Sequence, residues 1–279
     1  IHNLAIKGNF DDCQAMVKAS FADKGFLPAD RSLVAVNSIN WARVMAQIVY
    51  YVTSAAAVGA PSNGVSFSVP TGNFGDIFAG YIAKQMGLPI DRLVIATNQN
   101  DILHRCMETS AYTKSGVKPS ISPSMDIEVS SNFERALFFA HDKDGAAIKG
   151  LMDDLTASGS FTISDNAMGA LLAHYDSGMV DEVGTSAMIT RALQETGEVL
   201  CPHSAIGVAV AEKHLGATPM ITLATAHPAK FPDAVEAATG TRPALPAHMA
   251  DLFEREERIT RAPNDLEALQ DIVRERISS

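Results

Sequence analysis

The chain has 279 residues with a formal net charge of −10 at pH 7, and 47% of its residues are hydrophobic and 19% charged. This composition excludes a disordered chain and provides a core for one large domain or two ordinary ones. The acidic balance gives no electrostatic support to a nucleic-acid partner, no apolar run is long enough to span a membrane, and three widely spaced cysteines indicate a reducing compartment without a disulfide framework.

The first elements alternate between strand and helix. Residues 1–6 are predicted to form a strand of a packed sheet, followed by a helix over residues 13–21. Residues 33–36 indicate a second apolar strand. Residues 41–58 carry apolar side chains at helical spacing and are predicted to form a long, largely buried helix. Because the chain begins at Ile1, inside a predicted strand, we expect further residues upstream.

A strand, a turn and a helix follow one another in the next segment, around which the rest of the chain is organised. Residues 65–69 alternate apolar and polar side chains, residues 70–75 contain the turn-forming Gly72 and Gly75, and residues 77–86 resemble a helix. Unpaired amides at a helix N-terminus bind anions, and glycine lets a phosphate approach the backbone. The turn lacks a Walker lysine and dinucleotide spacing, so it favours a small phosphorylated cofactor.

The second half of the chain continues the alternation. Residues 93–97 and 220–224 are short apolar runs typical of a parallel sheet, whereas residues 112–125 are predicted to be irregular. The pattern predicts an α/β fold with three layers, in which a mostly parallel open sheet has helices on both faces. Residues 225–231 follow the last strand and are expected to share a crevice with the phosphate loop. Further helices are predicted over residues 132–141, 146–157, 165–175 and 186–196, with solvated surface helices over residues 251–261 and 265–276.

Four separated segments closely resemble threonine synthase in its longer bacterial and fungal form. In chain order they are residues 37–43, 70–76, 131–135 and 225–231. The resemblance extends from residue 1 to the end, and four ordered matches are far more specific than any one of them. It implies a pyridoxal 5'-phosphate (PLP) enzyme of fold type II. Residues 1–36 would then belong to the smaller mobile lobe, and residues 37–279 to the PLP-binding lobe.

The reaction of this family implies the function of the chain. Threonine synthase converts O-phospho-L-homoserine and water to L-threonine and inorganic phosphate, the last step of threonine biosynthesis. The resemblance therefore implies a PLP-dependent lyase with a small-molecule substrate, no nucleic-acid or membrane partner and no metal. It also implies that the complete enzyme is a cytoplasmic monomer.

The cofactor-binding positions of the family match residues of the turn and of the last strand's end. Gly72, Asn73, Phe74 and Gly75 resemble the cradle of the cofactor phosphate, with backbone amides as the main donors. Thr225 matches the position whose hydroxyl faces the pyridine nitrogen of the cofactor. A neutral partner there leaves the ring unprotonated and limits it as an electron sink.

The substrate-binding positions match residues at the start of the long helix. Asn37, Ser38 and Arg43 match positions that hold the substrate phosphate, where Arg43 would supply charge-assisted hydrogen bonds. Asp76, directly after the cofactor loop, is expected to cap the following helix. Cys201 stands where the family often has an acidic residue and so removes a charge.

The family's chemistry also needs a lysine that forms a Schiff base with the cofactor. That lysine lies in a Phe-Lys-Asp type motif, which we expect upstream of Ile1. None of the lysines in this chain has that context, and Lys230 belongs to a different motif. The chain by itself is therefore predicted to be inactive.

Two alternatives remain open on the sequence. One is another PLP lyase or dehydratase of the same fold type, such as a threonine dehydratase or a cysteine synthase. The other is a non-catalytic module that binds a phosphate ligand, which the missing lysine would favour. The substrate phosphate discriminates between the enzymes, because a dehydratase substrate has none for Arg43 to bind.

Overall fold

The computed structural model describes residues 2–8, 10–37 and 40–278. They divide into two compact units, one that combines Ile1–Ala35 with Pro246–Ser279 and one that comprises Val36–Leu245. The sequence-based boundary placed residues 246–279 in the larger lobe, whereas the structure groups them with the N-terminal residues. The physical reason is that a C-terminal strand pairs with an N-terminal one. The assignment of these parts to a mobile lobe and a PLP-binding lobe stays a prediction.

Eight strands and eleven helices are described. The strands are β1 Asn3–Ile6, β2 Val65–Pro70, β3 Ile90–Thr97, β4 Ala111–Thr113, β5 Ser160–Thr162, β6 Tyr175–Met179, β7 Met220–Thr222 and β8 Ile259–Ala262. The helices are α1 Phe10–Ala22, α2 Trp41–Ala57, α3 Gly75–Gln85, α4 Ile102–Thr109, α5 Phe133–Ala140, α6 Gly145–Ser158, α7 Asp165–Leu172, α8 Glu182–Thr196, α9 Pro202–Ala211, α10 Pro232–Thr239 and α11 Leu266–Ser278.

The larger unit is built on a four-stranded sheet in the order β6-β3-β2-β7, and every pair of neighbouring strands is parallel. Its two faces can be followed along β3. Leu93 and Ile95 pack into a cluster that includes side chains of α2 and α3, whereas Val94 and Ala96 pack with Val210 of α9. Successive side chains of a strand point to opposite faces, so helices cover both faces of the sheet. The predicted α/β class is confirmed.

Helix α9 lies close against the sheet because of a glycine. A Cβ at Gly207 would stand 2.7 Å from the Thr222 side chain and 3.1 Å from Pro70. The Gly207 carbonyl also accepts a hydrogen bond of 2.7 Å from the Ser68 hydroxyl of β2. The N-terminus of α9 is therefore held near the carboxyl ends of β2 and β7.

The smaller unit pairs β1 with β8 in parallel and carries α1 and α11. Gln270 of α11 donates a hydrogen bond of 3.2 Å to the Asp23 carboxylate, and the Arg274 guanidinium donates one of 3.2 Å to the Phe26 carbonyl. Phe26 is buried, with its ring 5.5 Å from the guanidinium carbon of Arg274. These contacts fix α11 to the segment that follows α1.

Three predictions on secondary structure are wrong. Residues 33–36 do not form a strand, because no described strand pairs with them. Their apolar side chains are not part of a core, since Val34 and Val36 are 72% and 78% exposed. Residues 251–261 contain a short 3-10 turn and β8 in place of a surface helix. Helix α2 is confirmed but not largely buried, since it buries one stripe through Val44, Ile48, Tyr51 and Ala55 and exposes the opposite one.

Within the described ranges, no helix is both long and apolar enough to cross a membrane.

Candidate functional site

The loop between β2 and α3 has an unusual backbone at Phe74. Its φ of 62° and ψ of −1° place it in the left-handed region, which costs a residue with a bulky side chain about 1–2 kcal/mol. The ring is 1% exposed and packs edge-on against Phe133 and Tyr175, with centroids 5.1 and 5.4 Å away. Aromatic packing therefore holds the loop in a conformation that the isolated chain would avoid.

The carbonyls of this loop are bound, and its amides are not. The Gly72 carbonyl accepts a hydrogen bond of 2.7 Å from the Ser130 hydroxyl, and the Asn73 carbonyl accepts two of 3.0 Å from Asn132. Among the described residues, none accepts a hydrogen bond from the amides of residues 72–75. These donors stand at the positive end of the α3 dipole, and unpaired amides in such a position are suited to binding an anion.

Gly72 lies where a side chain has no room. A Cβ at this position would stand 2.6 Å from the backbone carbonyl oxygen of Ser124, which cannot move away as a flexible side chain could. The short 3-10 turn Pro123–Met125 thus forms one wall of the loop. Glycine is therefore required here for a steric reason, and the role of Gly72 toward a cofactor phosphate stays a prediction.

A cavity of about 580 Å³ adjoins the first turn of α3. It is lined by Gln47, Tyr50, Thr53, Ser54, Asp76, Leu223, Ala224 and Thr225. Thr225 follows β7, and Asp76 follows the loop, so the carboxyl ends of two neighbouring strands contribute to one crevice, as open α/β sheets do. The predicted role of Thr225 toward a pyridine nitrogen remains a prediction, but the residue lies in the same cavity as the start of α3.

Asp76 makes contacts that the sequence did not reveal. Its carboxylate accepts hydrogen bonds of 3.1 Å from the hydroxyls of Tyr50 and Tyr51, and its carbonyl accepts one of 2.9 Å from Tyr51. It makes no capping bond to α3, so the expected cap is wrong. Burial raises the pKa of Asp76 to about 6, although the two tyrosine hydrogen bonds act in the opposite direction.

The predicted substrate segment folds onto the start of α2. Asn40 caps the helix by accepting a hydrogen bond of 2.9 Å from the Ala42 amide. Arg43 is exposed and donates a bond of 3.3 Å to the Val36 carbonyl. Its charge opposes the rise of the Tyr50 pKa. Arg43 precedes the cavity-lining residues Gln47 and Tyr50 by four and seven positions, so the three lie on one face of α2. Asn37 lies in a bend that precedes α2, and Ser38 lies outside the described residues.

The N-terminus of α9 supports both sides of the site. The Ser204 hydroxyl accepts a hydrogen bond of 3.3 Å from the Thr225 amide, and His203 Nε2 accepts one of 3.2 Å from the Ser124 amide. Cys201 is the N-cap, with its Sγ accepting from the Ser204 amide at 3.4 Å. A thiol therefore caps this helix.

His203 is neutral in this position. It is 4% exposed, and its ring lies 4.7 Å from that of Phe231. Burial, followed by the charge of Lys230, lowers the pKa of His203 to about 4. A neutral ring keeps Nε2 available as the acceptor for Ser124, which is the residue that packs on Gly72.

Sequence reasoning therefore missed Gln47, Tyr50, Tyr51 and His203 as residues around the site. No motif links them to the loop, because each belongs to a helix that only the fold brings there. Of the described lysines, none lines the cavity. No group of three or more His, Cys, Asp or Glu side chains within those residues could hold a metal ion.

Several known proteins similar to this chain are described as threonine synthases. A family described as "Threonine synthase, C-terminal" matches residues 204–273. The threonine synthase of Pseudomonas aeruginosa is 57% identical over 276 residues, which are 98% of this chain and 59% of that protein. The threonine synthase of Saccharomyces cerevisiae is 41% identical over 256 residues, which are 84% of this chain and 50% of that protein.

Solved structures agree in fold. A PLP-bound threonine synthase from Brucella melitensis superposes with a TM-score of 0.91 at 55% identity, over 99% of this chain and 59% of that one. Yeast threonine synthase superposes with a TM-score of 0.85 at 36% identity, over 99% of this chain and 60% of that one. The chain thus spans about three fifths of the length of these relatives.

Proposed function

Because this chain belongs to the threonine synthase family, we propose that it forms the PLP-phosphate-binding part of an enzyme that converts O-phospho-L-homoserine and water to L-threonine and phosphate. The observation that carries the proposal is the loop at residues 72–75. Its amides have no protein acceptor among the described residues, its carbonyls are bound to Ser130 and Asn132, and Gly72 leaves no room for a side chain.

The residues present fit the cofactor. The amides of residues 72–75 would hold its phosphate, and Thr225, which lines the cavity beside the first turn of α3, would face its ring nitrogen. When bound, PLP supplies an electron sink for the carbon skeleton of the amino acid. The hydroxyl of Thr225 is uncharged, so it would bind the ring nitrogen without adding a proton to it.

A second phosphate would bind beside the first. Gln47 Oε1 lies 3.7 Å from the position that a Cβ on Gly75 would take, so the second turn of α2 adjoins the cofactor loop. Arg43 is four residues earlier, a rise of about 6 Å along the helix. We assign Arg43, with Asn37 and Ser38, to the substrate phosphate. Two neighbouring anion sites would suit a reaction in which phosphate leaves the substrate.

The Schiff-base lysine is assigned to a part of the enzyme other than the described residues, since none of their lysines lines the cavity. The chain alone would then bind the cofactor phosphate but release no phosphate from substrate. The complete enzyme is proposed to be a cytoplasmic monomer.

The test uses a polypeptide of full family length that contains this chain. It is expected to bind PLP and to release inorganic phosphate from O-phospho-L-homoserine. Arg43→Ala is expected to raise the KM for the substrate at least about tenfold, because a charge-assisted hydrogen bond to phosphate is lost, and to leave PLP affinity within about twofold. Steady-state kinetics and PLP absorbance measure the two effects.

Arg92→Ala is the matched control. Arg92 pairs with Asp176 at 3.0 Å at the start of β3, the end of the sheet away from the loop. The Arg92→Ala variant should change neither the KM for the substrate nor the affinity for PLP. A protein that binds PLP but releases no phosphate from this substrate would contradict the substrate assignment. If Arg43→Ala loses both PLP binding and substrate binding, this result would contradict the division into two phosphate sites.

A further inference from the structure

Asp76 is the one carboxylate that lines the described cavity, and it follows the cofactor loop directly. Its nearest polar partners are the hydroxyls of Tyr50 and Tyr51, which donate to the same oxygen at 3.1 Å. No cation of the described residues pairs with this carboxylate. The residue is therefore held by two neutral donors from α2, without a compensating positive charge.

Asp76 directly follows the last amide of the loop, so an anion held there would lie within one helical turn of this residue along the chain. The amides of residues 72–75 precede Asp76, so a phosphate dianion held by them would be a near neighbour of the carboxylate. Two like charges at one site disfavour each other, and a carboxyl that gains a proton removes the repulsion. The tyrosine hydroxyls can hold the carboxyl in either state.

Resting on the proposed function, we propose that Asp76 is a positioning residue that takes up a proton from solvent when a phosphate dianion binds the loop. Tyr50 and Tyr51 keep the carboxyl on α2 and so join the start of α3, which binds the cofactor phosphate, to the helix that carries Arg43. Cofactor binding is thereby linked to pH through one residue that does not itself touch the reacting atoms.

The surroundings of Asp76 support proton uptake. Burial already raises its pKa to about 6, so little further stabilisation of the protonated form is needed near neutral pH. Its neighbours on α2 are Tyr50 and Tyr51, whose own pKa values are raised by burial. Arg43 lowers the pKa of Tyr50, and Tyr175 raises the pKa of Tyr51. The strand side of the cavity contributes Leu223, Ala224 and Thr225, which carry no charge.

Sulfate is the probe, because it stays a dianion across the whole range and any pH dependence then belongs to the protein. Sulfate affinity is measured by calorimetry on this chain between pH 5 and pH 8.5. We expect the Kd to rise about tenfold from the acid to the alkaline end, which corresponds to a change of about one unit in the pKa of Asp76 on binding. In Asp76→Asn the Kd should stay constant within about twofold.

Two further variants separate proton uptake from a structural effect. Tyr51→Phe removes a donor that stabilises the carboxylate, so the midpoint of the pH profile should move to higher pH. Asp165→Asn is the matched control, because Asp165 also lies in the first turn of a helix but is exposed to solvent. It should keep the wild-type profile.

The outcomes distinguish this proposal from its premise. If sulfate binds and the pH profile is flat in the wild type, or persists in Asp76→Asn, the role of Asp76 is overturned while the loop remains an anion site. If sulfate binds at no pH, or binds equally well to Gly72→Ala, the loop is not the anion site and the proposed cofactor role fails with it. A profile that disappears only in Asp76→Asn supports the proposal.

Discussion

The two flanks of the loop at residues 72–75 each favour an uncharged side chain, through pKa shifts of opposite direction. On the α3 flank, the carboxyl of Asp76 has a pKa raised to about 6, and on the α9 flank the imidazole of His203 has a pKa lowered to about 4. Burial is the main cause of both, since a low-dielectric site disfavours whichever form is charged. Between these two values both groups are neutral, so a bound phosphate would be the dominant charge of the site.

The flanks differ in how they contact the loop. Asp76 is part of the chain that forms the loop and is bound by side chains of α2, whereas His203 acts through the backbone of Ser124, whose carbonyl packs on Gly72. Asp76 can therefore change its charge without moving the wall of the loop that Ser124 forms. His203 must stay neutral for the wall to stay in place, because a protonated ring has no acceptor for the Ser124 amide.

The largest expected effect comes from filling the space between the flanks. Gly72→Ala places a Cβ 2.6 Å from the Ser124 carbonyl oxygen, so the loop or the Pro123–Met125 turn must move. We expect a loss of about 3 kcal/mol in the free energy of unfolding, the upper end for overpacking. Urea unfolding measures this loss. Gly169→Ala in α7 meets nothing within 4 Å and should be neutral or stabilising. Equal stability of the two variants would refute the close approach.

His203 should cause most of the decrease in the free energy of unfolding at acid pH. Its pKa is lower in the folded state, so the unfolded state binds more protons below pH 6.5, and stability falls as the pH decreases toward 4. From pH 8 to pH 5 this contribution amounts to about 2 kcal/mol. His203→Gln keeps an acceptor for Ser124 and should lose that pH dependence. Thermal unfolding across the range measures it, and an unchanged slope would contradict the assigned cause.

Asp76 should give a smaller effect of opposite sign. Its folded-state pKa is raised, so its contribution is fully present below the ordinary aspartate value and is lost as the pH rises through about 6. From pH 5 to pH 8 the loss is about 1 kcal/mol. Asp76→Asn should remove it and leave the variant more stable than the wild type at pH 8. If Asp76→Asn shows the same difference in stability between pH 5 and pH 8 as the wild type, another group is responsible.

Much of the fold could be read from local patterns. The apolar runs at residues 93–97 and 220–224 are β3 and β7, and the helical spacing of residues 41–58 is α2. The run at residues 33–36 has the same character but forms no strand, because a strand also needs a partner and none of the described strands pairs there. Hydrophobic pattern is a property of the segment, whereas pairing is a property of its neighbours.

The residue pattern alone indicated an anion site at residues 72–75. A strand, a glycine turn and a helix N-terminus are local features, and such a turn leaves backbone amides without helical partners. The charge of the groups beside the loop depends on contacts between distant parts of the chain. Asp76 meets tyrosines 25 and 26 positions away, and His203 meets an amide 79 positions away. Their burial, which sets their charge, exists only once distant helices pack on the sheet, and no local pattern encodes it.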